Sequence, residues 1–421
     1  MKSSLRFLHI TTFYPPYNFG GDAIYVWRLA NALAADGHVV DVVHCADSYE
    51  LLAGSRPLPA PLGEHPNVTV FGLRGSPRSL ASLAAHQTGF PLLRRSQIAR
   101  VTTGKQYDVV HYHNISMLGP GVLALEGAGS EPIKLYSVLE YWLVCANHLL
   151  WKFGRRACES KQCLQCVIRA GRPPQLWRYT SLLDRLVPNV DRFLAPSRTV
   201  ARIHAEHGFR RRMDCLPLFT EVPSVNELRA LPRHFQRPYF LFVGRLELLK
   251  GIDVLLGAWK RIHGADLVIA GDGSQAERMK REISGNPRIH LLGYVPQPNL
   301  AALYFHARAC IVPSLNEEPF GLTAIEALAH RTPVVAHRVG GPAEIIDESG
   351  GGLLYENEDE LVRALEKLLA DDSLRDSLGD RGYRACLDLW SRTAHLNRYY
   401  EVIREIGATR GARACSHQLA I

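Results

Sequence analysis

Two stretches far apart in this 421-residue chain follow one rhythm, and that rhythm limits the possible folds more than any other feature. Near the start, "RFLHITTFY" reads as an apolar strand. A loop with Pro15, Pro16, Gly20 and Gly21 follows it. The helical stripe "AIYVWRLANALAADGH" comes next, closed by Gly37, and then the strand "VVDVVHC". Strand, glycine loop, helix, strand is the unit from which parallel sheets are built. "YDVVHYHN" and "IKLYSVLEY" read as later buried strands of the same half.

The second half repeats the scheme. "RPYFLFVGRL" is a strand running into a loop, "GIDVLLGAWKRIH" a helix, and "ADLVIAGDGS" a strand ending in a glycine turn. "IHLLGYV", "ACIVPS", "TPVVAHRV" and "GGLLY" are further short buried strands. A chain of this length exceeds one ordinary core. The pattern therefore predicts an α/β protein with two Rossmann-like, doubly wound domains facing each other across a cleft. Prolines in "LPLFTEVPS" and "LPRHFQRP" place the linker between Cys215 and Arg237, which predicts a first domain over 1–218 and a second over 219–389. The proline-rich stretch 57–66 reads as an exposed loop.

Hydrophobic residues make up 47% of the chain and charged residues 21%, a globular composition. The formal net charge of +8 suits phosphorylated ligands or anionic surfaces, but a basic solvated surface explains it equally well. No lysine-rich tail or aromatic-studded basic module points to nucleic acid. Leu5 to Ile10 is too short for a secretory core, and no apolar run reaches the roughly 20 residues that span a bilayer. The expectation is a cytoplasmic protein whose nine cysteines are mostly reduced thiols.

The stretch "NEEPFGLTAIEALAHRTPVV", 316–335, carries the chemistry. A helix is expected to begin near Phe320, so the free backbone N–H groups around Gly321, Leu322 and Thr323 would suit a phosphate. Gly321 would let a ligand approach the backbone. Glu326 lies about 9 Å further on at 1.5 Å per residue. A carboxylate there can accept from paired hydroxyls such as those of a ribose. Glu318, before the helix, could accept from hydroxyls on the other side of the phosphates. The implied ligand is a nucleotide sugar. Alone, two glutamates eight positions apart would be no more than a helix-start acid and a solvated side chain. Context adds Arg245 and Lys250 in "GRLELLKG", two cations at a strand end that suit a diphosphate. It also adds the "GDGS" turn with Gly273 and the "LLGYVP" loop with Tyr294 and Val295.

Together, "FVGRLELLKG", "IAGDGS", "LLGYVP", "EEPFGLTAIEAL", "TPVV" and "GGPAEII" resemble the donor domain of family 4 glycosyltransferases of the GT-B type. The resemblance covers nearly the whole chain and is most specific over 239–355. It implies retaining transfer of a sugar from a nucleoside diphosphate sugar to an acceptor hydroxyl, with no metal needed for catalysis. The acceptor would be a sugar, a glycolipid or a natural product. By this resemblance Arg245 and Lys250 bind the diphosphate, Glu326 the ribose and Glu318 the donor sugar. The Tyr294–Val295 loop meets the base, and Gly20 and Gly21 close over the phosphates. It also implies that a C-terminal helix, 390–410, crosses back to the first domain; the residues after Gly407 read as polar and dispensable by comparison.

The match has departures. Relatives often carry "HDYW" where this chain has "LEYW", Leu139 to Trp142, so Leu139 replaces a histidine and Glu140 an aspartate. That substitution keeps open a non-catalytic nucleotide-sugar-binding protein, and a nucleotide-sugar hydrolase or epimerase of the same fold stands as a third reading. His111 and His113 in "VVHYHN" are expected at a strand end facing the cleft, with Glu140, on the acceptor side. Relatives usually have glycine at Arg331. Finally, Cys145, Cys158, Cys163 and Cys166, with His148 nearby, have spacing that permits a structural zinc; free thiols are the competing reading. Lys152, Arg155, Arg156 and Lys161 in that segment leave open an anionic or lipid-phosphate acceptor and peripheral membrane contact, against a plain solvated loop.

Overall fold

The computed structural model describes residues 4–57, 62–75, 78–125 and 131–418. Part of the loop expected over 57–66, residues 58–61, lies outside the described residues. The chain divides into two units. One comprises 1–196, 200–216 and 396–421; the other 197–199 and 217–395. The first division thus falls two residues before the expected one, and the C-terminal return begins at Leu396 rather than at 390.

The first unit is built on seven parallel strands in the order β3-β2-β1-β4-β5-β8-β9. They are β1 (Arg6–Ile10), β2 (Val39–Cys45), β3 (Val68–Leu73), β4 (Val109–Tyr112), β5 (Ile133–Ser137), β8 (Arg192–Ala195) and β9 (Met213–Cys215). A two-stranded hairpin, β6 (Trp151–Lys152) with β7 (Arg156–Ala157), stands apart from the sheet. β3, β8 and β9 were not singled out in the sequence. The strand segments are continuous apolar runs because both faces of a parallel sheet are covered. Phe7, Leu8, Val40, Val42 and Val109 have no exposed surface.

The second unit has six parallel strands in the order β12-β11-β10-β13-β14-β15. These are β10 (Tyr239–Val243), β11 (Asp266–Ala270), β12 (Ile289–Gly293), β13 (Cys310–Val312), β14 (Val334–His337) and β15 (Gly352–Tyr355). This is the doubly wound order, with the winding reversed between β10 and β13. Each of the seven segments named in the second half supplies the element expected of it. At Arg331, where relatives usually have glycine, the backbone is left-handed with φ 57°. The arginine side chain offsets the strain of that conformation by pairing with Asp380.

The last helix runs Arg392–Gln418 after a π-turn at Cys386–Trp390. Leu396, Tyr399, Ile403 and Ile406 repeat at helical spacing and are buried. From Leu396 onward the helix packs within the first unit. The Tyr399 hydroxyl bonds His111 Nδ1 at 2.9 Å, and Tyr400 donates to Asp36 at 2.9 Å. Residues after Gly407 are not idle. Arg410 donates to Asp191 at 2.7 Å and to the Glu131 carbonyl at 2.8 Å. The expectation that this end is dispensable missed a charged side chain that clamps the helix to the sheet's edge loops.

Tyr399→Phe keeps the packing but leaves His111 Nδ1 buried without its phenol. The expected loss is about 1–3 kcal/mol of first-unit stability by urea denaturation. An unchanged midpoint would mean that apolar contacts alone hold the helix.

Candidate functional site

The site in the second unit grows from the loops after β10 and β13, the two strands that flank the winding reversal. Residues 244–251 leave β10. Leu246 is buried and pinned, its N–H donating to the Asp272 carbonyl at 2.9 Å and its carbonyl accepting from Gln275 N–H at 2.9 Å. The glycine turn 271–274 lies directly on it. A Cβ on Gly273 would stand 2.6 Å from the Leu246 oxygen. Ser274 donates through its hydroxyl to Glu247 at 2.6 Å. Gly273 therefore serves first to brace the loop that carries Arg245 and Lys250.

That loop ends in a 3-10 turn, Leu248–Lys250, and Gly251 with φ 72°. A Cβ on Gly251 would fall 1.8 Å from the Pro313 oxygen, so only glycine permits the turn to pass the β13 loop this closely. Leu315 N–H donates to the Leu249 carbonyl at 2.8 Å. Lys250 Nζ contacts a Glu318 oxygen, and the Ser314 hydroxyl donates to the same oxygen at 2.7 Å. The Glu318 carbonyl in turn accepts from Gly341 N–H at 2.8 Å. Arg245 is exposed and makes no ion pair among the described residues. Burial, with Arg245 close by, pushes the Lys250 ammonium down to about 7.

The helix after β13 spans Leu322–Ala329, starting two residues later than expected. Gly321 (φ 110°) stands at its N-cap and no side chain caps it. Its first N–H groups and positive dipole end therefore lack a side-chain partner of their own. Phe320 is buried beneath the turn, and Thr323 donates to the Val243 carbonyl at 3.4 Å. Glu326 sits one turn in and accepts from the Tyr304 hydroxyl at 3.2 Å. Arg245, Lys250, Glu318 and the helix start are thus gathered by the paired loops. Tyr294 and Val295 follow β12, and Tyr294 is 75% exposed.

In the first unit, Gly20 precedes the helix Gly21–Ala35, which has no side-chain cap. Gly20 is extended, and a Cβ there would meet only an Asp22 oxygen at 3.7 Å. Neither backbone angle nor packing requires glycine there. Beside it lies a polar group the sequence reading did not assemble. Asn114 donates to Asp22 at 3.1 Å, and His148 Nδ1 stands 3.2 Å from Glu140. Burial raises the Asp22 carboxyl, and the Glu140 charge adds to that rise. Asp22 directly after the glycine pair was the available signal; His148 belongs to a loop with no periodicity.

His111 and His113 need correction. Both are fully buried rather than facing outward. His9 and His111 are register partners on β1 and β4, so their rings lie side by side. His9 Nδ1 meets His113 Nε2 at 2.8 Å, while His111 uses Ser137 and Tyr399, each at 2.9 Å. Burial lowers His9 to about 3 and His113 well below its usual value. His9 and His113 are held neutral in the core and His111 is buried beside them, so an acceptor-side role for His111 and His113 has no exposed ring to rest on. Leu139 is likewise buried.

The four cysteines sit around the β6–β7 hairpin and the short helix Cys163–Arg169. Cys166 Sγ accepts from Phe153 N–H at 3.3 Å and from the Asn147 amide at 3.4 Å. Burial raises the Cys145 thiol, opposed by N–H groups of Leu150, Asn147 and Leu149 aimed at it. Burial also raises Cys158, and the nearby Cys145, Cys163 and Cys166 add to it. His148, Leu150 and Phe153 are left-handed in the same loop. Among the described residues, the ligand atoms that converge within 4.8 Å of one another are those of His9, His111 and His113, not the sulfurs.

Residues 226–385 match the family model described as glycosyl transferases group 1, and residues 19–221 match that of glycosyltransferase family 4. A D-inositol 3-phosphate glycosyltransferase of Arthrobacter sp. is 29% identical over 409 residues, covering 89% of this chain and 88% of that protein. An uncharacterized glycosyltransferase of Methanocaldococcus jannaschii is 35% identical over 161 residues, 36% of this chain and 41% of that one. With the lipopolysaccharide core biosynthesis glycosyltransferase LpsE of Rhizobium meliloti, 27% identity covers 51% of this chain and 64% of the relative. The match thus spans less than two thirds of the latter two relatives. Sucrose-phosphate synthase from Thermosynechococcus elongatus shares the fold with a TM-score of 0.72 at 22% identity, over 96% of this chain and 100% of that one. HepE of Anabaena, in complex with UDP and glucose, does so at 0.65 and 16%, over 95% and 99%. The two adjoining domain matches liken this chain to glycosyltransferases, and its fold is the GT-B fold of these neighbours.

Proposed function

We propose that this protein moves a sugar from a nucleoside diphosphate sugar to an acceptor hydroxyl with retention at the anomeric carbon, and that catalysis needs no metal. The observation that carries the reading is the pairing of loops at the β10–β13 reversal. It sets the exposed Arg245, the half-buried Lys250, Glu318 and an uncapped helix start together. In this reading the bond between the anomeric carbon and the phosphate oxygen breaks, and its electron pair goes to the diphosphate. Arg245, Lys250 and the N–H groups at Leu322 and Thr323 stabilise the charge that develops there. The acceptor oxygen bonds to the same face of the anomeric carbon, and its proton passes to the departing phosphate. Glu318 holds donor-sugar hydroxyls and Glu326 the ribose; each is an acceptor-only carboxylate beside the helix start.

Arg245→Ala and Lys250→Ala should each lower turnover by about 2–4 kcal/mol of transition-state stabilisation, measured with EDTA present. Near-normal rates in both would sink the assignment. Comparing donor consumption with and without acceptor separates transfer from hydrolysis, and no consumption in either arm would favour a binding protein.

The depressed Lys250 gives a pH signature. The charged form, which binds phosphate, is the majority below 7 and a shrinking minority above it. UDP-glucose serves as probe, since its diphosphate has no group titrating near neutrality. Its affinity should be flat below pH 6 and fall up to about tenfold per unit above 7. Calorimetry at pH 8 in two buffers should record proton uptake on binding. A flat profile, or the same profile in Lys250→Met, would assign the titration elsewhere.

The cysteine loop carries a separate proposal, a structural zinc held by Cys145, Cys158, Cys163 and Cys166. Its support is the spacing of the four cysteines and the N–H groups directed at the Cys145 and Cys166 sulfurs; the sulfurs as they stand do not converge, so binding would have to draw them together. Metal analysis of protein purified without a histidine tag should find about one zinc per chain. Four freely titratable thiols and no metal would remove the idea.

A further inference from the structure

The helical layer on one side of the first unit is inside out. In the helix Arg78–Thr88, Ala81, Ser82 and Ala85 face the core, while Leu80 and Leu83 are 51% and 43% exposed. In the next turn Arg94 is fully buried and Leu92 and Leu93 are 55% and 48% exposed. The buried arginine is no accident of packing. It donates to both oxygens of Asp47 at 2.9 and 3.0 Å, to Ser82 at 2.8 Å, to Ser48 at 3.1 Å and to the Met117 carbonyl at 2.9 Å. A chain that builds such a network to hold a guanidinium inside, and leaves leucines outside, has a use for the outward face.

The same network joins neighbouring elements into one surface. Ser48 and Ser82 meet at 3.1 Å, tying the helix Ala46–Ala53 with its exposed Leu51 and Leu52 to the helix Arg78–Thr88. Trp177 Nε1 donates to the His86 carbonyl at 3.1 Å and Gln87 to the Pro174 carbonyl at 2.7 Å. These bonds bring Leu176 and Tyr179, 57% and 62% exposed, to the same layer.

Charge decides what covers it. The two stretches that supply most of this face, 75–107 and 160–183, contain no aspartate or glutamate. Arg95, Arg100 and Arg172 are exposed in them. Exposed leucines in stretches whose exposed charges are basic fit the interface of an anionic bilayer, where apolar side chains enter the acyl boundary and guanidinium groups stay at the phosphates. A second copy of the chain would set like charges against each other. No helix among the described residues is long and apolar enough to cross a membrane, so the contact is with the surface.

We propose that this face of the first unit docks on anionic phospholipid bilayers. The test is co-sedimentation of the full chain with vesicles of phosphatidylcholine alone or with about a third phosphatidylglycerol. Binding should require phosphatidylglycerol and weaken with added salt. Arg95→Gln with Arg100→Gln should reduce partitioning about 25-fold, roughly five-fold per charge. Leu92→Gln with Leu93→Gln should reduce it about tenfold or more while leaving the thermal melt and salt dependence in place. Absence of binding to phosphatidylglycerol vesicles overturns the proposal, as does binding by both double variants as strong as that of the unsubstituted chain. So does concentration-dependent self-association that Leu92→Gln with Leu93→Gln abolishes in lipid-free buffer.

Discussion

The second unit depends on one close approach. Gly251 passes the Pro313 carbonyl with no room for a Cβ, and this brings the loop after β10 against the loop after β13. Everything chemical there follows from that contact. Lys250 precedes the glycine, Glu318 follows the proline by five residues, and the two side chains meet. Behind them, Gly341 packs on Phe320 and bonds the Glu318 carbonyl, so the acid's backbone is held from the far side as well. The parallel sheet supplies the reason such loops converge at all: where the winding reverses, neighbouring strands send their connections apart and leave a crevice between them.

A preorganised cation pair in such a crevice has a cost. Burial disfavours the Lys250 charge, and Arg245 close by adds to this. Glu318 answers that charge, but through an oxygen that Ser314 also claims. A dianionic diphosphate would replace one carboxylate with a better-matched partner for two cations. The strain is therefore the kind that a ligand relieves rather than one that folding must resolve. The same logic separates this lysine from Arg94, whose charge is answered inside the fold by the Asp47 carboxylate, with only its buried Nε–H left without a partner.

How much of this was legible in the sequence depended on period and on chain distance. β10, β11 and β13 announce themselves as apolar runs ended by glycine or proline, and the loops behind them carry charges too regularly placed to be incidental. β8 and β9, of four and three residues, were not singled out in the sequence. The histidines were misread. His111 and His113 alternate like an outward pair, but His9 on the neighbouring strand and Tyr399, 288 residues away, close over them. Glu140 with His148, and Asn114 with Asp22, are likewise pairs that only the fold assembles.

Inverted amphipathicity is a further case in which sequence pattern points the wrong way. "PLLRRSQIAR" invites a reading with Leu92 and Leu93 inside and arginines outside, the ordinary arrangement for a surface turn. The structure reverses it at Arg94 because Asp47 and two serines from neighbouring helices are already in place to receive the guanidinium. Removing one carboxylate would leave a buried cation uncompensated, which costs far more than exposing two leucines costs in water. The inside of this layer is thus fixed by electrostatics, and its outside is left free to carry an apolar, basic face that the core does not need.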